Sequence, residues 1–267
     1  MLPSCLLFVP GDRPERFAKA AASGAGGIII DLEDAVAPEH KPRARESALA
    51  ELRSTASTAA QRFVRINALR SRTGLEDLLA LSDLKLDGVV VPKAASGGEL
   101  AIVAALLPGA PIVALIESVA GIRAVDEIAH EPGVAAVAFG NADLSAELGS
   151  TMGWDALLAH RSRVILAARS AGIVAYDGVT LELKDARVIG EDARRALEMG
   201  FDGKLTIHPA QVAPVVQAFT PSEAEVAHAL RIVEAAASGG VAVVDGRMVD
   251  PPVIAAARRI LARATPS

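Results

Sequence analysis

Two carboxylates in this chain stand directly behind apolar runs. Glu117 ends Ile112-Val113-Ala114-Leu115-Ile116, and Asp143 comes three residues after Val137-Ala138-Phe139-Gly140. If the two runs are consecutive parallel strands they are neighbours. The two acids then share a hard divalent cation, with waters and substrate oxygens completing an octahedron at about 2.0–2.1 Å. No cluster of Cys or His competes for a softer metal, which favours Mg2+, or Mn2+, over zinc. The plainer alternative makes each acid the N-cap of the helix that follows its strand.

A charge inside an otherwise apolar strand is the second signal. Arg65 sits in Phe63-Val64-Arg65-Ile66-Asn67. A buried unpaired charge is costly, so this guanidinium pairs either with acids of the protein or with a ligand carboxylate or enolate. Asp31 and Glu33, in Asp31-Leu32-Glu33-Asp34, are the acids that a structural ion pair would use; the same cluster can instead hold a metal's waters. Gly11-Asp12-Arg13-Pro14-Glu15-Arg16 reads as a turn into a helix. There Arg13 can bind a phosphate or carboxylate beside backbone N–H groups, or simply belong to a turn. Lys93, Gly140, Asn141, Asp177, Lys204 and His208 add further polar or close-approach positions at strand ends. The lone His208 suits structural hydrogen bonding as well as catalysis, and Cys5, Trp154 and Tyr176 are expected to be packing residues.

Such a set acts together only if one fold brings it to one face. Runs rich in β-branched residues and bounded by Gly, Pro and Asp predict eight strands. They are Leu6–Pro10, Gly27–Glu33, Phe63–Asn67, Gly88–Lys93, Pro111–Glu117, Val134–Gly140, Ile173–Gly178 and Leu205–His208. Segments with helical spacing lie between them, including Asp155–Ala171 and Gly190–Met199, with 141–155 read as a loop before the first of these. Strand alternating with helix eight times predicts a (β/α)8 barrel over residues 1–220, with an open doubly wound sheet as the alternative. In a barrel the C-terminal strand ends form one polar mouth. Residues 221–267 are expected to be a short helical cap, or an arm reaching a neighbouring subunit. Within them Ser222 and Glu225 form a capping box, a helix runs to Ala237 and ends at Gly239-Gly240, Val241–Val244 enters an Asp245-Gly246 hairpin, and Pro251–Ala264 is a last helix.

Composition agrees and sets limits. Hydrophobic residues make up 51% and aromatics 3%, so the core is built from Ala, Val, Ile and Leu, as suits a parallel sheet buried on both faces. A net charge of −5 argues against nucleic-acid binding. No apolar run approaches the roughly 18 residues that span a bilayer. Met1–Pro10 lacks a basic region ahead of a long apolar segment, so no signal peptide and no membrane are expected. The single Cys5 fits a reducing, cytoplasmic setting.

Several of these motifs occur together, in order, in one family. Leu7-Phe8-Val9-Pro10-Gly11-Asp12-Arg13-Pro14-Glu15-Arg16-Phe17, Asp31-Leu32-Glu33-Asp34-Ala35-Val36 and Val64-Arg65-Ile66-Asn67 resemble the citrate lyase β-subunit (CitE-like) family of the HpcH/HpaI aldolase group. So do Val91-Pro92-Lys93, Leu115-Ile116-Glu117, Gly203-Lys204 with Ile207-His208-Pro209-Ala210-Gln211, and Gly246-Arg247-Met248-Val249-Asp250. The resemblance covers nearly the whole chain, from about Leu6 to Leu261. It implies a magnesium-dependent lyase that cleaves or forms a 3-hydroxyacyl thioester of coenzyme A, such as a malyl, citramalyl or citryl thioester. By that resemblance Glu117 and Asp143 are the metal ligands, Arg65 stabilises the enolate, and Asp250 is the acid/base group. The tail reaches an adjacent subunit, so a homotrimer or a hexamer is implied. Arg13, Asp31, Glu33, Lys93, Gly140 and Asn141 are expected to contact substrate or coenzyme A. The family usually carries Gly-Ala-Glu-Asp-Leu after its sixth strand, whereas this chain has Gly140-Asn141-Ala142-Asp143-Leu144. That departure resembles aldolases acting on free 2-oxo acids, the alternative activity. A carrier-dependent subunit of a citrate lyase complex is a third possibility. The acyl half of the substrate is expected to be set near Arg70, Arg72 and the 141–155 segment.

Overall fold

The computed structural model describes residues 2–54, 59–237 and 242–264. Eight parallel strands close on themselves in chain order: β1 (Cys5–Pro10), β2 (Gly27–Asp31), β3 (Gln61–Arg65), β4 (Gly88–Val91), β5 (Ile112–Ile116), β6 (Val134–Phe139), β7 (Val174–Asp177) and β8 (Gly203–Thr206). β8 pairs with β1, with Leu6 against Leu205, so the sheet is a closed (β/α)8 barrel and not an open doubly wound one.

Strand periodicity sorts the side chains into two layers. Leu6, Ile29, Phe63, Val90, Val113 and Leu205 form one cluster, the barrel interior. The alternate residues, Leu7, Ile28, Ile30, Val64 and Val89 among them, form a much larger cluster with the surrounding helices. Aliphatic side chains fill both layers, as a sheet buried on both faces requires.

The handover from strand to helix is set locally. Helices α3 (Arg72–Leu81), α4 (Gly97–Leu106) and α5 (Val119–His130) follow β3, β4 and β5, and a serine caps each. Ser71 accepts from the Gly74 N–H at 3.0 Å, Ser96 from Glu99 at 3.4 Å and Ser118 from Gly121 at 3.0 Å. A Cβ on Gly121 would sit 2.6 Å from the Ala94 carbonyl oxygen, so the glycine allows the helix to start tight against the preceding loop. The first two crossovers hold α1 (Phe17–Ala21) and α2 (Lys41–Arg53), each entered through a short 3-10 turn.

After β6 the structure differs from expectation. Residues 141–148 are a helix, α6 (Asn141–Leu148), and α7 (Trp154–Ala171) follows it. The Gly-Asn-Ala-Asp string looks like a loop in sequence. Gly140, just ahead of this helix, packs so closely on the end of β5 that a Cβ there would run into Glu117. α8 (Ala186–Met199) and α9 (Pro209–Phe219) complete the ring, and His208 caps α9 in a capping box with Gln211.

Asp177 and Lys204, expected at the mouth, are not there. Their strand positions alternate with Tyr176 and Leu205 of the interior, so they point outwards into the helical layer. There Lys204 donates to Asp177 at 2.6 Å and lies 2.8 Å from Asp192, and Arg161 donates to Asp177 at 2.8 Å. Arg161 also lies over the rings of Trp154 and Phe139. This is a buried structural ion cluster tying β7 and β8 to α7 and α8.

Beyond Phe219 the chain forms α10 (Glu223–Ala237), a two-stranded hairpin of β9 (Ala242–Val244) and β10 (Arg247–Val249), and α11 (Pro251–Ala264). Ser222 and Glu225 make the expected capping box, with the Ser222 N–H donating to the Glu225 carboxylate at 2.8 Å and the Glu225 N–H donating to the Ser222 hydroxyl at 3.2 Å. Asp245 and Gly246 both have positive φ, 49° and 75°, the conformation a two-residue hairpin turn demands. Gly239, Gly240 and Val241 lie outside the described residues. Ala229, Ile232 and Ala257 centre a small core between α10 and α11. No described helix is long and apolar enough to cross a membrane.

Burial raises the Asp177 pKa, but Lys204 and Arg161 outweigh it, and its carboxyl is held below the usual carboxylate range. A depressed folded pKa contributes stability above the unfolded value of about 3.9, and that contribution is lost as pH falls through the folded value. Asp177→Ala should therefore cost about 3–5 kcal/mol, because it leaves the buried Arg161 without its carboxylate and Lys204 with Asp192 alone. Urea denaturation at pH 7 and at decreasing pH checks this: wild type should lose part of its advantage over the variant in acid, and an equal gap at every pH would refute it.

Candidate active site

The site is assembled at the C-terminal ends of β2 to β6. Asp31 and Arg65 are register partners on β2 and β3, both facing the interior. Arg65 clasps Asp31 through two parallel bonds, Nε to Oδ1 and Nη2 to Oδ2, each 2.7 Å. Its Nη1 lies 3.1 Å from the Glu33 carboxylate and 3.5 Å from Asp34, and its guanidinium covers the Phe8 ring at 4.7 Å. Burial would lower the arginine's pKa, but bonding to Asp31 and the charges of Asp31 and Glu33 raise it, so it is permanently charged. Asp31 also accepts from the Glu33 and Ala35 N–H groups at 2.9 and 3.1 Å, which curls the loop after β2 back over its own strand.

Lys93 carries this arrangement across to β5. Its ammonium donates to Glu33 at 2.9 Å, and its backbone N–H donates to Glu117 Oε1 at 2.8 Å. Lys93 has φ of 52°, a left-handed conformation that costs a non-glycine residue roughly 1 kcal/mol. The strained backbone turns the N–H towards Glu117. That role has no mark in the sequence beyond the preceding Pro92. Asn67 and Lys41 brace the loop after β2 from below: Asn67 donates to the Leu32 carbonyl at 2.9 Å, and Lys41 donates to the Leu32 and Glu33 carbonyls at 3.0 Å.

Glu117 and Asp143 face one another across β5 and α6 and line both cavities of the mouth. The larger, of about 530 Å³, continues past Lys93, Ser118 and Glu147 to Arg70. The smaller, of about 370 Å³, descends past Arg65, Phe8 and Leu115 into the barrel. Glu117 is only 4% exposed. Burial, with repulsion from Glu33 and Asp143, pushes its carboxyl up to about 8. Glu33 is likewise raised, by burial first. Five carboxylates, those of Asp31, Glu33, Asp34, Glu117 and Asp143, meet two cations, Arg65 and Lys93, so the mouth has an excess of negative charge.

That excess fits a divalent cation. Among the described residues no three His, Cys, Asp or Glu side chains converge into a closed cage. Two oxygen-bearing side chains opening on a cavity are the pattern of a magnesium site that keeps positions for water and substrate. α6 starts after Gly140 without a side-chain cap, and Gly140 to Asp143 line the smaller cavity.

Other expected residues have different surroundings. Asn141 is buried, and its amide bridges to the Val179 backbone, donating at 2.8 Å and accepting at 3.1 Å. Arg13 is exposed, 4.0 Å from Asp12, and lines neither cavity. Arg70 lines the larger cavity paired with Glu99, whereas Arg72 points to solvent beside Glu76. Asp250 caps its own helix, accepting from the Val253 N–H at 3.1 Å, and lines neither cavity.

Comparison with known proteins fits this geometry. The family model described as HpcH/HpaI aldolase/citrate lyase matches residues 4–209, which contain all eight barrel strands. The chain belongs to that family. Among its members, a (3S)-malyl-CoA thioesterase of Cereibacter sphaeroides is 38% identical over 97% of this chain and 93% of its own. A citrate lyase subunit beta-like protein of Deinococcus radiodurans is 40% identical over 96% and 95%. The crystal structure of CitE from Mycobacterium tuberculosis in complex with magnesium, acetoacetate and coenzyme A superposes with a TM-score of 0.84, at 36% identity over 98% of each chain.

If Glu117 and Asp143 take a cation, Mg2+ should raise the melting temperature of the family barrel, because it binds the folded chain alone. Glu117→Gln and Asp143→Asn should each abolish most of that rise. A thermal-shift titration decides the matter, and an undiminished shift in both variants would remove the assignment.

Proposed function

We propose that the chain is a magnesium-dependent carbon–carbon lyase that splits the coenzyme A thioester of a 3-hydroxy acid into acetyl-CoA and a 2-oxo acid. The observation that carries this is Arg65, locked by Asp31 at the lip of a cavity that Glu117 and Asp143 also line. The names of the relatives, and the magnesium and coenzyme A in the structure of the M. tuberculosis protein, support it.

Glu117 and Asp143 would hold the magnesium ion, which when bound supplies Lewis-acid polarisation of the hydroxy-acid half. Cleavage breaks the bond between the carbons α and β to the thioester. The hydroxyl loses its proton and becomes the carbonyl of the oxo acid, while the bonding electrons pass to the α carbon as a thioester enolate. Arg65 offsets the charge that develops on the enolate oxygen. Because Asp31, Glu33 and Phe8 already fix the guanidinium, little reorganisation accompanies the reaction. The enolate carbon then needs a proton, and Asp250 is the acid we assign to that step. Its contact within its own chain is to its own helix, which favours its acting on the barrel of a neighbouring subunit, in a trimer or a multiple of three. Arg13, on the exposed rim, suits a phosphate of coenzyme A. With one buried cysteine and no membrane-crossing helix among the described residues, we place the protein in the cytoplasm.

The name of the C. sphaeroides relatives favours a second reading, hydrolysis of the thioester itself. The two differ in products. A lyase turns malyl-CoA into acetyl-CoA and glyoxylate without freeing a thiol, whereas a thioesterase releases malate and free coenzyme A. Chromatography of the products with a thiol assay, with Mg2+ and with EDTA, should show metal-dependent acetyl-CoA and no thiol. Thiol release matched by malate would replace the lyase with the hydrolase.

Asp250→Asn should lower kcat by about 10²–10⁴-fold, as loss of a general acid does. Co-expression of Asp250→Asn with Arg65→Ala should restore part of the activity that each lacks alone. Absence of any rescue in verified mixed oligomers would put Asp250 outside the neighbour's site.

A further inference from the structure

Lys93 holds a backbone conformation that lysine does not favour. Its φ of 52° lies in the left-handed region, which glycine enters freely and other residues only at a cost. A glycine could make the N–H bond to Glu117 at 2.8 Å without that strain, so the bond alone does not account for a lysine here. The side chain carries the remainder. Its ammonium donates to Glu33 at 2.9 Å and stands 3.7 Å from Asp34 and 3.9 Å from Asp143. It is 44% exposed on the edge of the larger cavity, which Glu117 and Asp143 also line. Arg65, the other cation of the mouth, pairs with Asp31, Glu33 and Asp34. Among the described residues, Lys93 is the cation that pairs with Asp143.

Building on the assignment of Glu117 and Asp143 to a magnesium ion, we infer that the Lys93 ammonium is a built-in counter-ion that gathers the acids without metal and loosens the hold on the metal. In the metal-free protein it offsets the repulsion between Glu33 and Asp34, on the loop after β2, and Asp143 on α6. Towards a divalent cation held by Asp143 it is a like charge beside the same carboxylate. Like charges at such range repel even where water screens them. Both effects come from one nitrogen, and they have opposite signs. Lys93 is thus a positioning residue. It keeps the mouth assembled before the metal arrives, and it keeps Mg2+ exchangeable once bound.

Isothermal titration with Mg2+ at pH 8.5, above the value of about 8 to which burial pushes Glu117, tests this without turnover. Lys93→Met keeps the backbone N–H and removes the charge, and it should bind Mg2+ at least ~5-fold more tightly than wild type. Its metal-free melting temperature should fall. Lys93→Arg, which keeps the charge, should bind within about 2-fold of wild type. The gap between Lys93→Met and wild type should shrink as potassium chloride is raised, since salt screens a charge effect and leaves a packing effect alone. Lys93→Gly, unstrained at this φ, gives the same comparison where Lys93→Met does not fold. Mere damage to the site would weaken Mg2+ binding, the opposite sign. Affinity equal to or weaker than wild type in both uncharged variants overturns the inference while the magnesium assignment stands. A wild type that binds no Mg2+ removes the assignment, and the inference with it.

Discussion

The structure of the mouth depends on one pair, Arg65 with Asp31. A guanidinium pointing into a barrel must be neutralised there, since it is about nine-tenths buried and burying it unpaired is prohibitive. The neighbouring strand supplies the acid at the same register level, close enough for a bidentate bond. Asp31 then uses its remaining capacity on the backbone of the loop above it, and this places Glu33 beside the same guanidinium. Glu33 draws in Lys93, and the Lys93 backbone fixes Glu117. Four consecutive strands, β2 to β5, are thus linked by charge-assisted bonds in which each partner sets the position of the next. Their geometry exists before any ligand arrives, the condition for electrostatic stabilisation of a developing charge.

That chain of bonds leaves negative charge over, and the surplus shows where the fold gives up stability. Glu117 is buried beside other acids and titrates far above an ordinary carboxylate. Lys93 holds a left-handed backbone to reach it. Neither feature stabilises the apoprotein, and both sit at one spot, whereas the buried cluster of Asp177, Lys204, Asp192 and Arg161 is well matched in charge. Two buried polar networks in one barrel therefore differ in kind. The balanced one, outside the strands, holds the fold together, and the unbalanced one, inside, leaves a negative excess that a bound cation would offset.

Sequence made much of this legible, and the failures have physical causes. Glu117 could be found because an acid that ends a five-residue apolar run faces the mouth if its parity is inward, and it is. Asp177 was misplaced because ending a strand is not enough, and Lys204 because it stands near the start of β8: alternation sends neighbouring residues to opposite layers, and Tyr176 and Leu205 already take the interior. Arg65 was readable as a charge that must pair, and Asp31 and Glu33 both proved to be partners. Helix α6 was missed because Gly140-Asn141-Ala142-Asp143 carries residue types that read as a turn, while the packing of Gly140 on Glu117 lies outside any local window. The Lys93 N–H was missed because a backbone donor has no residue type.

The tail shows the same logic at longer range. α10 and α11 share a core of their own, and the hairpin between them is pinned to α10 where Asp245 meets His228 at 3.0 Å and Arg231 at 2.9 Å. Asp245 is the turn residue of the hairpin, so these contacts fix the direction of β10, which leads straight into Asp250. Asp250 is in turn the cap of α11. A carboxylate that only ended a helix would need no such scaffolding, since an exposed cap contributes about 1 kcal/mol wherever its helix points. A carboxylate delivered to another barrel does need it, because its position must survive the whole length of α10 and the hairpin. Under the proposed role, support along that path is what would give a distant acid a defined place at a neighbouring mouth.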